Sequence, residues 1–500
     1  MLFAAISLAQ TETGQITGKV TDPNGAVIPN ASISIKSVDT GHERTATANE
    51  DGSYSIVALQ PGIYEVTAQA GSFKPGTKRV HVTVGSKVTV DLQLTVSEVA
   101  GTVNVTSVGG IEVNTTSQEL SNVVNGTQIR TLPTLTRNPY DLIRLSNNVA
   151  TDDPGTPVAG VGTAGRGAGF GINGQRAAST DLLLDGVDNT DLYYASVGQK
   201  VPLDAVSEFR VVTSNFSAEY GRATGGVINV ATRSGSKEFH GSLYEFNRIS
   251  RLASDGFYNN ANNVPRGVFT RNQFGFTIGG PVTLPHFGEG GSILNRTKKL
   301  FFFHSTEWTR VRSAGDLLAV VPTQQLIAAS HANTQAFFNR ATLKATPTGT
   351  VYTVGTVTNL LSLPATGNAF TALPSSLPAF QLVRFTEPTD LGGGFPQNRY
   401  STVTRFDYNK SSKTFIYGRW ARENEDDLIG TAGYSPYAGF DTPNTIRNNS
   451  FLVSLTHTFG AKFVAETKLA LNRLHAEAPY SEQPIQPTLF MFPGATGTIG

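Results

Sequence analysis

From Ser234 onward the chain repeats one pattern: an apolar or aromatic side chain alternating with a polar one, then a tight turn. Gln273–Gly279 sets Phe274, Phe276 and Ile278 against Gln273, Gly275 and Thr277. Arg399–Tyr408 sets Tyr400, Thr402, Thr404, Phe406 and Tyr408 against Ser401, Arg405 and Asp407. Asn409–Lys413 turns, and Phe415–Arg422 returns with Tyr417 and Trp420. Phe451, Val453 and Leu455 oppose Ser454, Thr456 and Thr458. After Gly460-Ala461-Lys462, the residues Phe463, Ala465, Leu469 and Leu471 oppose Glu466, Lys468 and Asn472. A period of two belongs to a β-strand. Strands of about ten residues with one apolar face are long enough to cross a bilayer at a tilt. The pattern predicts an antiparallel transmembrane β-barrel.

About eight such strands can be counted, and the pattern is still running at Gly500. An eight-stranded barrel is filled by its own side chains, whereas about 22 strands are needed to house a plugging domain. The expectation is that the chain carries only the first part of its barrel, truncated at the C-terminal side.

Composition narrows the function. The formal net charge is +1 and only 15% of residues are charged, which gives no electrostatic case for nucleic acid. Cysteine is absent, so there is no disulfide framework, thiolate metal site or cysteine nucleophile. No run of 18 apolar residues occurs, so no transmembrane helix is predicted.

The segments before the barrel read differently. Residues 1–9, within MLFAAISLAQ, resemble the end of a signal peptide, with Ser7 and Ala9 at the small-residue positions of a cleavage site. Residues 13–95 hold short alternating runs separated by Asp22-Pro23-Asn24-Gly25, Asn49-Glu50-Asp51-Gly52 and Pro61-Gly62, the spacing of a β-sandwich. Residues 96–110 form a small, polar linker with one β-competent patch, Thr102–Thr106. Residues 111–233 read as a mixed α+β domain. Asn138 caps a short helix with Pro139 in its first turn, Asp181–Val187 is a buried strand ending in an Asp-Gly turn, and Ala205–Val212 passes from helix to strand. Residues 234–500 are the partial barrel, in which Val311–Pro396 is an Ala/Thr/Pro/Leu-rich insertion suited to an extracellular loop. The fold class is therefore mainly β: an N-terminal β-sandwich, a mixed α+β plug domain, then the first part of an antiparallel transmembrane β-barrel.

Catalytic and metal signals fail their context tests. Gly160–Gly165 matches G-x-G-x-x-G, but Pro154 and Pro157 stand where a strand should precede it. Asp181, Asp185, Asp188 and Asp191 do not follow the EF-hand spacing, and read as turn-capping aspartates. No histidines pair at zinc spacing, and no G-x-S-x-G elbow occurs. No catalytic residue, metal site or cofactor is predicted. Thr102, Val103, Asn104, Val105 and Thr106 form an extended patch between two domains, a geometry suited to strand addition at a partner's sheet edge.

These residues resemble the TonB-dependent outer-membrane receptors, and more narrowly the Oar-like branch with an extra N-terminal domain. GKVTDPNGAVIPNASI, NEDGSYSI and PGIYEVTA resemble a carboxypeptidase-regulatory-like sandwich of transthyretin type. GTVNVTS at Gly101–Ser107 resembles the TonB box, without its usual acidic residue and terminal alanine. GINGQRAASTDLLLDGV and Val206–Thr232 resemble the plug signatures, with Thr213-Ser214-Asn215 where the family usually has R-G-P. The resemblance implies an outer-membrane protein with its sandwich in the periplasm and no enzyme activity. It implies energy-coupled uptake of an external ligand (siderophore, oligosaccharide or other) and a TonB-type periplasmic transducer that pairs with the box. In that arrangement Arg176, Arg210, Arg222 and Arg233 are expected to pair with wall carboxylates such as Glu245 as a lock. An adhesion or carbohydrate-binding protein anchored by the barrel is the alternative, favoured if sandwich aromatics such as Tyr54 and Tyr64 are exposed.

Overall fold

The computed structural model describes residues 13–96, 104–105, 118–134, 136–151, 170–191, 196–217, 220–255, 257–261, 266–285, 294–364, 366–368, 370–428, 435–439, 443–460, 463–478, 489–490 and 498–499. The signal-like residues 1–9, the glycine motif at 160–165, and Thr102, Val103 and Thr106 lie outside them.

The N-terminal part is a sandwich of two sheets. Its strands are β1 (Gly14–Thr21), β2 (Ser32–Ser37), β3 (Glu43–Thr47), β4 (Ser53–Leu59), β5 (Gly62–Gln69), β6 (Gly76–Val82), β7 (Lys87–Thr89) and β8 (Leu92–Gln93). One sheet runs β4-β1-β7, with β8 also on β1; the other runs β3-β2-β5-β6. Alternation does the folding: Ile33 and Ile35 of β2 face Val66 and Ala68 of β5 and Ile16 and Val20 of β1 in one core. A short strand β9 (Asn104–Val105) adds in parallel to the free edge of β6, with Thr77 opposite Asn104 and Lys78 opposite Val105.

The mixed domain contains β10 (Leu120–Val124), a helix at Gly126–Thr131, β11 (Val149–Thr151), β12 (Phe170–Ile172), β13 (Thr180–Leu184), β14 (Val187–Asp188), β15 (Thr190–Asp191), β16 (Ser196–Val197), β17 (Val206–Ser214) and β18 (Gly226–Thr232). The helix starts in a capping box, with Asn125 and Gln128 satisfying each other's backbone N–H groups. The predicted helix after Asn138 is a 3-10 helix, Pro139–Leu145, whose first turn Asn138 caps by accepting from Tyr140 N–H. The main sheet runs β10-β17-β18-β13-β14. Its central strands β13 and β18 are buried along their whole length, which is why LLL and GGVINV read as continuous apolar runs. Gly226 is dictated by close approach: a Cβ there would lie 2.6 Å from Ile172 Cδ1 and 2.7 Å from Val212 O.

The C-terminal half is one antiparallel meander of β19 (His240–Ile249), β20 (Phe269–Pro285), β21 (Leu294–Pro322), β22 (Thr346–Thr353), β23 (Pro378–Pro388), β24 (Gln397–Ser411), β25 (Thr414–Asp427), β26 (Thr445–Gly460) and β27 (Phe463–Arg473). The wall runs β19-β20-β21-β24-β25-β26-β27. Its alternation is as read: Phe451, Val453, Leu469 and Leu471 are exposed on one face, while Gln273, Arg405, Asp407 and Ser454 are buried on the other. The insertion at 311–396 differs from the expected loop. β21 is 29 residues long, about 95 Å at the rise of an antiparallel strand. Its far end, Ala314–Pro322, pairs with β23, and β22 pairs with β23 in turn. Val321, Val383 and Phe385 bury a small core of their own there. Ala/Thr/Pro-rich composition suggested a loop, but residues 314–322 continue β21 and pair with the 11-residue β23.

Candidate functional site

The mixed domain lies against the inner face of the wall. Its core of Ile129, Tyr140, Leu182, Phe209, Ile228 and Val230 is completed by Phe303, Val403 and Ala421 from β21, β24 and β25. Around that apolar contact, charged groups from the two bodies meet.

The first meeting point is Asp185. Asp185 and Gly186 form the two-residue turn between β13 and β14, with φ of 53° and 69°. Such turns need positive φ at both positions, which Asp-Gly supplies. The Asp185 carboxylate is fully buried. It accepts from Thr232 N–H at 2.8 Å and from Thr232 Oγ1 at 2.9 Å. It also meets two guanidiniums of the wall, Arg419 Nε at 2.9 Å and Arg405 Nη1 at 3.8 Å. Arg405 is further held by Asp407 at 2.9 Å and lies 4.1 Å over the Tyr417 ring. None of the Arg419 guanidinium nitrogens makes a directed hydrogen bond among the described residues, so its charge is met by proximity to Asp185.

The second meeting point is Arg137, which follows the helix of the mixed domain. It pairs with Asp204 of its own domain and approaches Glu307 Oε2 of the wall at 3.6 Å. Its guanidinium lies 3.9 Å over the Phe246 ring and 4.9 Å over that of Tyr244. Next to it Arg271 Nη2 donates to Thr136 O at 2.8 Å. The third meeting point is backbone: Asn448 Nδ2 donates to Gly198 O at 2.8 Å, Lys200 N–H to Glu423 Oε2 at 3.3 Å, and Ser401 Oγ to Lys200 O at 3.2 Å.

The residues expected to form the lock are placed otherwise. Glu245 is exposed and shares the parity of Leu243, which is 87% exposed, whereas Tyr244 and Phe246 turn inward to Arg137. The period of two thus puts Glu245 on the face away from the mixed domain. Arg222 pairs with Asp188 of its own domain at 2.8 Å, and Arg210 with Glu119 at 3.0 Å. Arg233 donates to Asp204 O at 3.4 Å and lies 5.3 Å over Phe303 of the wall. Arg176 is exposed. The main ionic contact runs with reversed polarity, carboxylate on the mixed domain and guanidiniums on the wall. The sequence held a signal for it: Arg419 alternates with the outward Trp420, and Asp185 closes the LLLDG run. Of the box-like patch, Asn104 and Val105 are the strand β9 on the sandwich edge.

The family described as "Outer membrane beta barrel domain" matches residues 231–499. The chain belongs to that outer-membrane β-barrel family. The family described as "Carboxypeptidase regulatory-like domain" matches residues 15–95. Among curated proteins, the barrel chain is similar to the "TonB-dependent transporter Oar" of Myxococcus xanthus, 25% identical over 303 residues, which are 56% of this chain and 26% of that protein. The chain therefore spans about a quarter of the length of that curated relative. Solved structures similar to it include the outer membrane transporter YddB from Escherichia coli, with TM-score 0.40 and 12% identity over 71% of this chain and 39% of that one. A ferric enterobactin receptor mutant from Pseudomonas aeruginosa has TM-score 0.38 and 12% identity over 70% and 40%.

Proposed function

We propose that this outer-membrane barrel protein is a receptor for energy-coupled uptake of an external ligand, a siderophore, oligosaccharide or other compound, through a plugged β-barrel. Residues 111–233 act as the plug and residues 234–500 as the start of the barrel. A TonB-type periplasmic transducer adds a strand to Thr102–Thr106 and pulls, while the sandwich lies on the periplasmic side.

The observation that carries this reading is the insertion of Asp185 between two arginines of the wall. A buried charge stripped of its partner is strongly destabilising, by about 3–5 kcal/mol. The contact therefore holds the domain in one seat, yet it consists of a few polar contacts that a mechanical load can break in turn. Strand addition suits the load, because a strand pulled along its axis must break several hydrogen bonds together. The adhesion reading loses its expected support: Tyr54 and Tyr64 are buried, and their hydroxyls donate to Val90 O at 2.6 Å and Gln60 O at 2.8 Å.

The test is binding of the transducer's periplasmic domain to the full-length receptor in an outer membrane, with and without Val103→Pro and Val105→Pro. Proline removes backbone donors and blocks strand addition. Loss of binding with barrel folding retained supports the receptor. Binding that is absent in both, or unchanged by the prolines, contradicts it.

A further inference from the structure

The N-terminal sandwich is seated on the other two bodies, and its seat is built from buried charged side chains. Glu208 and Arg210 lie two residues apart on β17, so they share a face. Both are 3% exposed. The Glu208 carboxylate accepts the N–H of Val84, and the Arg210 guanidinium donates to Val84 O at 3.3 Å and to Gly85 O. Together they grip the backbone of a single turn, the one joining β6 to β7. Val84 is fully buried, and both its N–H and its carbonyl are held by β17 of the mixed domain.

The wall adds further contacts. Arg405, the arginine that meets Asp185, also donates to the Gln60 side chain of the sandwich at 3.0 Å. Lys237 N–H donates to Asp39 O at 2.9 Å, and Arg44 Nη2 donates to Thr458 Oγ1 at 3.0 Å. Buried charges need partners. Lifting the sandwich off would leave the Glu208 carboxylate without its N–H donor and Arg210 without two carbonyl acceptors.

The strand gripped at its end is the strand that carries β9. Asn104 and Val105 are hydrogen-bonded along the edge of β6, whose last residue, Val82, precedes the clamped turn. One edge of Asn104 and Val105 is therefore already occupied, by a domain that is itself clamped to the mixed domain.

We infer that the surface formed by Glu208, Arg210, Arg405 and Thr458 is the docking site of the chain's own N-terminal sandwich, and that the docked sandwich keeps the box-like strand from an incoming transducer strand. This inference rests on the receptor reading above. Release of the clamp exposes the underside of the mixed domain and lets the sandwich, with β9 on its edge, move away from the plug.

The chain has no cysteine, so introduced thiols report cleanly. The first measurement is maleimide labelling of Val84→Cys in the full-length protein, alone and with Glu208→Ala and Arg210→Ala. Docking predicts protection in the first and labelling at least about tenfold faster in the second, the factor carried by one charge-assisted bond. Equal labelling overturns the docking. The second measurement does not depend on how the clamp variant folds. Asp39 and Lys237 are both exposed, and Asp39→Cys with Lys237→Cys, bridged by a short bifunctional thiol reagent, holds the sandwich down. The bridged protein should bind the transducer's periplasmic domain about tenfold more weakly or worse, and cleaving the bridge should restore binding. Binding that is the same bridged and unbridged overturns the inference while leaving the receptor reading intact. Binding in none of the forms removes the receptor reading and this inference with it.

Discussion

Arg405 and Arg419 stand directly opposite each other on β24 and β25, both buried, and the carboxylate of Asp185 meets them both. Like charges at opposed positions of a sheet repel. The wall is therefore incomplete by itself at this point, and the mixed domain supplies the missing charge.

Asp185→Asn should uncover that repulsion. The expected cost is about 3–5 kcal/mol, as for a buried pair broken on one side. Asp185→Asn with Arg419→Met, which removes both charges and keeps a residue that tolerates positive φ at 185, should cost less than Asp185→Asn alone. Urea unfolding of the refolded protein, followed by the mobility of the heat-modifiable form, measures the order. Equal losses would show that the charge pair is not what holds the seat.

Gly226→Ala should be destabilising by about 1–3 kcal/mol, the range for overpacking a core. The added methyl meets Ile172 Cδ1 and the backbone oxygen of Val212 at under 3 Å. A thermal melt that does not move would mean the two strands separate without cost.

The sandwich contact should respond to pH through two opposed groups. Burial raises Glu208 from the usual 4.5 to about 7, with the Val84 N–H and Arg210 pulling the other way; Arg210 is itself paired with Glu119. A raised carboxyl contributes stability below about 4.5 that is lost as pH rises through about 7. Burial, then Arg44, lowers His42 from 6.5 to about 4. Its contribution is complete above 6.5 and is lost as pH falls through about 4. Asp39, Tyr64, Asp407 and Lys413 line the same cavity as His42. Between these limits the two slopes oppose each other. Glu208→Gln should leave a stability that rises with pH, and His42→Gln one that falls, in urea titrations followed by circular dichroism at pH 4.5 to 6.5.

Substitution on the lipid side should depend on the face. Leu469 is 77% exposed on β27, while Lys468 beside it faces inward and reaches Asp185 O at 3.5 Å. Leu469→Arg should cost about 2–4 kcal/mol if the position lies near the bilayer midplane. Folding into lipid vesicles at several urea concentrations measures it. A cost near zero would place Leu469 outside the hydrocarbon.

The wall was legible because alternation is a local property: Phe451, Val453 and Leu455 point one way whatever their neighbours do. The Asp185-Gly186 turn was legible for the same reason, since two residues carry the whole signal. The lock partners were not. Asp185 and Arg419 lie more than 200 residues apart, and only the folded sheet brings them together. Glu245 shares the parity of the exposed Leu243, and that parity, not its charge, decides which face it takes. The β6–β9 pairing had no local signal either, as a two-residue strand takes its partner from position in the fold.

The most direct test of the account is whether the mixed domain closes the pore. Conductance of the full-length protein in planar bilayers should be compared with that of the same protein lacking residues 118–232. The intact protein should be silent, and the deletion that retains a folded barrel should show a large, steady conductance. Equal conductance in the two would contradict it.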